Sequence, residues 1–337
     1  MRIKSIRILA ITMALCLGLG LNAASAAMTL KLGTVTPAVG DRLIEACEIF
    51  KKYVEEKTGG AITITLYPAS QLGGEREMLE ALQMGTLEMA SLTNGPFPNF
   101  SKDILVFDIP FVFPSEAVAY TVLDGPFGDK LREKVLKDTG VRCLGFAENG
   151  FRHFTTTNKP IRVPGDVKGL KIRVMENQAH MAMIRELGGI PTPMAFAELY
   201  TALAQGVVDG QENPISLTAS MRYYEVQKYL TMDGHLYCPY LFMVNEDIWK
   251  QMTADQQKIV MEGVAIWRDE ERTRNKKQSD EAEHLMASKG TEIIKLTPDV
   301  HAQFQKQTAG VEDFIRKQVS PGLIEELKKA IADAQAK

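Results

Sequence analysis

Apolar side chains recur along this chain in two periods, and the change from one to the other outlines its elements. Within 41–58, Ile44, Cys47, Phe50 and Val54 share one helical face, and Gly59–Gly60 supplies a stop. Ile62, Ile64 and Leu66 then alternate with Thr63 and Thr65, which predicts a strand. A short strand over Met28–Gly33 precedes this helix. A helix marked by Met78, Leu79 and Leu82 and a buried strand over Met89–Thr93 follow. Strand–helix alternation of this kind predicts an α/β fold with mainly parallel pairing. The stretch 94–114 carries Pro96, Pro98, Pro110 and Pro114 without a helical period, so it reads as a structured loop. Two helices and a strand over Val141–Ala147 come next.

A second α/β series starts near Gly150: strands over Phe151–Thr157 and Leu170–Met175, a helix over Asn177–Leu187, and another over Ala195–Gln205 ending at Gly206. The restart predicts a second lobe from about residue 150. Tyr237–Val244 is strand-like again. From Ala254 to Ser288 there is no proline and one early glycine, Gly263, and the later half is rich in charge. A continuous helix of that length would reach about 50 Å, more than one lobe, so it is expected to lie across both with its charged face in solvent. One further helix follows Pro321. The expected limits are 27–150 plus about 239–278 for lobe one, and 151–238 plus about 279–337 for lobe two.

The start of the chain reads differently. Arg2, Lys4 and Arg7 precede an apolar run from Ile8 to Leu21, followed by Ala24, Ser25 and Ala26. This is the order of a secretory signal peptide over 1–26, cleaved after Ala26; the run is short for a membrane span. Cys16 follows Leu15 inside that run and reads as filler rather than a lipidation site. The whole chain of 337 residues is 45% hydrophobic and 24% charged, which excludes a disordered tail or a polytopic membrane protein. A net charge of −3, more negative once the leader's cations are gone, gives no reason to expect nucleic acid as partner. The expected location is outside the cytoplasm. Cys47, Cys143 and Cys238 are scattered and odd in number, so buried reduced thiols are expected rather than a disulfide framework or zinc site.

Motifs for catalysis are absent. The 5 histidines, His153, His180, His235, His284 and His301, have no metal-ligand spacing, and there is no phosphate loop or nucleophile elbow. No cofactor is expected. Glu75 and Glu77, two apart at a helix start, diverge and suit the helix dipole better than paired acid–base work. Three polar residues stand in unusual surroundings instead. Arg173 lies in a strand whose alternation sets Lys171 and Arg173 against Leu170, Ile172 and Val174. Arg152 follows Gly150 and Phe151, and Asn213 sits in a turn-forming segment, Val208–Pro214. A planar guanidinium fork with neutral amide donors suits a carboxylate, although each arginine taken alone fits a surface ion pair equally well.

Taken together and in order, several segments resemble one family, the DctP-like solute-binding proteins of tripartite ATP-independent periplasmic (TRAP) transporters. They are Leu66-Tyr-Pro-Ala-Ser-Gln-Leu-Gly-Gly-Glu-Arg76, Val167-Lys-Gly-Leu-Lys-Ile-Arg-Val174, Pro191-Thr-Pro-Met-Ala-Phe196, Val208-Asp-Gly-Gln-Glu-Asn-Pro214 and Tyr224-Glu-Val-Gln227. The resemblance spans essentially the whole mature chain.

It implies two α/β lobes joined by crossing strands and a long helix, closing on a small organic acid between them; since the chain crosses between lobes near residues 150 and 238, hinge bending is expected there. The implied ligand residues are Arg173 as carboxylate clamp, Arg152 and Asn213 completing the grip, Phe196 as a wall and Glu75 facing the cleft from lobe one. Thr93-Asn94-Gly95-Pro96 replaces the acidic residue and arginine expected there in sialic acid binders. Asn94, Glu75, His235 and Tyr237 offer partners for a hydroxylated acid, so a uronate or other sugar acid competes with a C4-dicarboxylate. The implied partners are the TRAP membrane permease subunits, for a monomeric capture protein that is not an enzyme. A ligand sensor for a membrane receptor, or a periplasmic enzyme with Glu75 as base, would use the same cleft.

Overall fold

In the computed structural model, which describes residues 27–336, nine strands join in one mixed sheet. They are β1 (Met28–Gly33), β2 (Ile62–Tyr67), β3 (Met89–Thr93), β4 (Val141–Thr156), β5 (Lys171–Val174), β6 (Ile190–Pro193), β7 (Gly210–Pro214), β8 (Tyr229–Asn245) and β9 (Glu292–Lys295). Their order is β2-β1-β3-β8-β4-β7-β5-β6, with β9 beside β8. Pairing is parallel in both wings, β2-β1-β3 and β7-β5-β6, as the strand–helix alternation predicts. It is antiparallel wherever β4 or β8 meets β3, β7 or the other. The expected leader, with Cys16, lies outside the described residues.

The sequence reading breaks one of the crossing strands in two, ending it at Ala147 and restarting at Phe151. The structure instead runs β4 unbroken from Val141 to Thr156 against β8. The turn-like Glu148-Asn149-Gly150 is a bulge in the ladder, where the register shifts between Glu148 and Gly150. Gly150 holds φ at 121° there, and a Cβ would come within 3.3 Å of Pro214. The bulge is pinned from both sides by a buried ion pair. Arg42, at the start of the helix Arg42–Lys57, donates through Nε to Glu271 of the long helix at 2.9 Å. Its Nη2 donates to the Asn149 carbonyl (2.9 Å) and to Asn149 Oδ1 (3.1 Å), while Glu271 Oε2 accepts the Glu148 N–H at 2.8 Å.

The long helix runs without interruption from Ala254 to Ser288, as expected. Thr253 and Gln256 cap it reciprocally. Its first half packs Val260, Val264 and Trp267 on the core beneath the helix Arg42–Lys57; Gly263 passes so close to Phe50 that a Cβ would sit at 3.0 Å. Its second half turns Ala282 and Met286 towards Ile215 and Leu230, and Asn275 accepts from Ser216 Oγ at 2.8 Å. The helix therefore touches elements of both wings. The segment 94–114, expected as a structured loop, contains two 3₁₀ helices, Phe97–Asn99 and Lys102–Asp108.

One placement corrects the sequence reading. The last helix, Leu323–Gln335, was expected in lobe two with the rest of 279–337, but it packs on the helices Glu116–Leu123 and Pro126–Thr139. Its buried Leu323, Ile324, Leu327 and Ile331 complete an apolar face there, and Ser320 donates to Asp103 through both N–H and Oγ at 2.7 Å. The preceding helix Gly310–Arg316 packs on Gln178–Glu186, so the chain crosses back after it.

Two predictions follow from this core. Glu271→Leu strands the Arg42 charge in the interior and should lower stability by about 3–5 kcal/mol, whereas adding Arg42→Met should recover most of that loss; urea unfolding of both variants reads the difference. Cys47, Cys143 and Cys238 are buried and free of disulfides, and burial pushes the Cys143 and Cys238 thiols up to about 12 and about 11. A thiol reagent at neutral pH should leave all three unmodified in the folded protein and label them on unfolding.

Candidate functional site

Where the two wings face each other across the bulge, a narrow cavity of about 10 Å³, closed down to the room of a single water, is lined by residues from both. Val35, Thr36, Glu75 and Thr93 come from the β1–β3 side. Arg173, Met175, Phe196, Asn213 and Leu217 come from the β5–β7 side, and Asn149, Arg152 and Tyr240 from the crossing strands β4 and β8. Five of the eight expected ligand residues thus meet at one cavity: Arg173, Arg152, Asn213, Glu75 and Phe196.

Arg173 lies on β5 with its side chain turned inward and 1% exposed. Its Nε and Nη2 donate to the Met194 carbonyl at 3.1 and 2.8 Å, and Nη1 has no partner. Among the described residues no carboxylate lies within ion-pair distance of it, and burial pulls its pKa below the ordinary arginine value. A guanidinium held this way is desolvated without being neutralised.

Arg152, on β4 just past the bulge, has the opposite history. Its Nε and Nη2 grip the Glu212 carboxylate, Nη2 also reaches the Glu212 carbonyl at 2.5 Å, and only Nη1 is unpartnered. Both groups are fully buried. The pair raises the Arg152 pKa against its burial and holds the Glu212 carboxyl well below the usual carboxylate range. Two arginines therefore line one cavity, each with an unpartnered Nη1, and one protein carboxylate is already committed to the first of them.

The remaining polar groups are anchored from behind. Asn213 Nδ2 donates to Gln211 Oε1 at 2.5 Å, one β7 step below. Glu75, at the first turn of the helix Glu75–Met84, accepts the Thr93 N–H at 2.7 Å, and desolvation raises its pKa. Phe196 is half-buried where the chain leaves β6.

Three expected residues stand behind the cavity wall. His235 donates from one ring nitrogen towards Asp233 (Nδ1, 2.7 Å) with Nε2 3.4 Å from Glu212, and these acids raise its pKa to about 9 despite burial. It stacks on Phe154 with centroids 4.4 Å apart. Asn94 donates to Asp108 Oδ1 at 2.8 Å, in a cluster where Asp108 also accepts from Asn177 and meets His180. Tyr237 packs edge-on between Phe113 and Phe151 with its hydroxyl unpartnered.

Sequence reasoning did not single out Asn149, Thr36, Thr93, Met175, Leu217, Tyr240 or Glu212 as part of the site or its support. For Glu212 a signal existed, since an acid beside Asn213 on a strand paired to Arg152 is placed to answer it. For Asn149 the bulge itself was the signal. Among the described residues no group of three or more His, Cys, Asp or Glu is placed to hold a metal ion. The arrangement can fix an anion by charge and directed donors.

Comparison with known proteins agrees. The family model for bacterial extracellular solute-binding protein, family 7 (DctP) matches residues 32–318. The chain is 34% identical over 286 residues to the C4-dicarboxylate-binding periplasmic protein DctP of Rhodobacter capsulatus, covering 84% of this chain and 85% of that one. The sugar acid binding protein DctPAm of Advenella mimigardefordensis, solved with galactonate, superposes with a TM-score of 0.88 at 28% identity, covering 92% of this chain and 99% of that chain. A TRAP periplasmic solute-binding protein of Polaromonas, bound to D-erythronate, matches with a TM-score of 0.85 at 33% identity, covering 89% and 98%. Two of these relatives are named as periplasmic, all three as binding proteins for organic or sugar acids or as solute-binding proteins, and the family is one of binding proteins. The chain belongs to the DctP family of bacterial extracellular solute-binding proteins, family 7, the solute-binding proteins of TRAP transporters.

Proposed function

We propose that this solute-binding protein captures a small organic acid in the cavity between its lobes and delivers it to TRAP membrane permease subunits, acting as a monomer without turning its ligand over. The observation that carries this is Arg173: a buried guanidinium lining the shared cavity, with no carboxylate of its own and an Nη1 without a hydrogen-bond partner. A ligand carboxylate supplies the missing charge and accepts the missing hydrogen bond. Arg152 Nη1 and Asn213 complete the grip, Phe196 closes one wall, and Glu75 meets the far end. Asn94, His235 and Tyr237 act from behind the wall rather than on the ligand. The leader over 1–26, removed after Ala26, directs the chain to the periplasm.

The lobes divide at the bulge. Lobe one comprises 27–150, about 239–278 and the last helix; lobe two comprises 151–238 and about 279–320. Closure bends the paired strands near Gly150 and Cys238, which face each other in the β4–β8 register. Small-angle scattering should show a smaller radius of gyration with saturating acid than without it. An unchanged radius across the titration would count against hinge closure.

Arg173→Met keeps the volume and removes the charge. Losing one partner of a buried, hydrogen-bonded pair costs about 2–5 kcal/mol, on the order of 30- to 5000-fold in affinity. Calorimetry should show that loss, and Arg173→Lys should also bind poorly because it lacks the planar fork. Without ligand, the Met variant should be at least as heat-stable as the parent, since an uncompensated buried charge has gone. A variant that binds within about three-fold of the parent would remove Arg173 from the clamp.

A further inference from the structure

From the charge pattern around the cavity we infer that this protein selects hydroxylated monocarboxylates, such as aldonates, over dicarboxylates of the same length, with Glu75 as the selecting residue. The inference rests on the carboxylate-capture reading above and goes one step further, to what the other end of the ligand must be.

The cavity lining contains two cations, Arg152 and Arg173, and one acid, Glu75; it has no lysine or histidine. Glu212 already neutralises Arg152 through a bidentate pair. His235 and Asp233 answer each other one layer out, at 2.7 Å. Arg173 is left without a directly paired carboxylate, Glu75 acting on it only across the cavity, and one ligand carboxylate takes that place. A second carboxylate on the same small molecule would have no cation left to meet.

It would also meet the wrong group. Glu75 comes from the wing opposite Arg173 and Arg152, and it is fixed in place by the Thr93 N–H at 2.7 Å. The same side of the cavity offers the Thr36 hydroxyl, whose oxygen keeps a lone pair open beside its contact with Asp41. A carboxylate and an open hydroxyl are acceptors for hydroxyl donors. A sugar-acid hydroxyl gives Glu75 a charge-assisted hydrogen bond. A carboxylate there sets two like charges together in a desolvated space, or forces a proton onto one of them. Burial already raises the Glu75 pKa, and a second negative charge beside it would raise it further.

The test is calorimetry at one pH with two matched sets: four- to six-carbon aldonates led by D-erythronate, and four- to six-carbon dicarboxylates led by succinate. The tightest member should fall in the aldonate set, with succinate at least about tenfold weaker than D-erythronate. Glu75→Gln retains an acceptor for the Thr93 N–H but loses the charge, so it should narrow that ratio by strengthening succinate and weakening D-erythronate. Succinate binding within about three-fold of D-erythronate in the parent, or an unchanged ratio in Glu75→Gln, overturns the inference. Tight dicarboxylate binding that vanishes in Arg173→Met would overturn it while leaving carboxylate capture standing. Binding of neither set would overturn this inference.

Discussion

A buried arginine beside a buried arginine is the constraint around which the rest of this molecule is arranged. Placing Arg152 and Arg173 at one cavity would be prohibitive if both charges were unanswered. Glu212, paired to Arg152 on the neighbouring strand, removes one of them, and His235 with Asp233 steadies that glutamate from behind. The other charge is left open. That imbalance makes the cavity receptive to an anion, and it is maintained by secondary structure, since β4, β5 and β7 fix the two guanidiniums and the glutamate relative to one another.

The same strands also connect the two halves. β4 and β8 form a continuous antiparallel ladder through the sheet, bent by a bulge where the cavity lies. Asn149 belongs to both systems: its side chain lines the cavity while its backbone and amide oxygen are held by Arg42. The cavity and the connection between lobes are therefore built from neighbouring residues of one strand, and the Arg42–Glu271 pair ties that strand to the first helix and the long one.

Much of this was legible in the sequence. Periodicity located the first helix and β2, each with a buried face and a more exposed one, whereas the long helix was legible as a proline-free run. The ordered segments located Arg173, Arg152, Asn213, Glu75 and Phe196, which the fold brings to one cavity. The failures have physical causes. Glu148-Asn149-Gly150 has the composition of a turn, and only its pairing with β8 keeps it in a strand. Asn94, His235 and Tyr237 are polar groups near the site in sequence, yet hydrogen bonds to Asp108 and Asp233 or aromatic packing hold them behind the wall. The last helix carries an apolar stripe that says it is buried but not against what; its partners lie some 200 positions earlier.

The continuity of the central ladder has a consequence for how the molecule comes apart. Lobes joined by a flexible linker can melt separately, each with its own midpoint. Here neither wing can lose its sheet without stripping β4 and β8 from the other, and the chain's end returns to brace the wing where it began. Heat or denaturant should therefore meet a single cooperative unit rather than two domains.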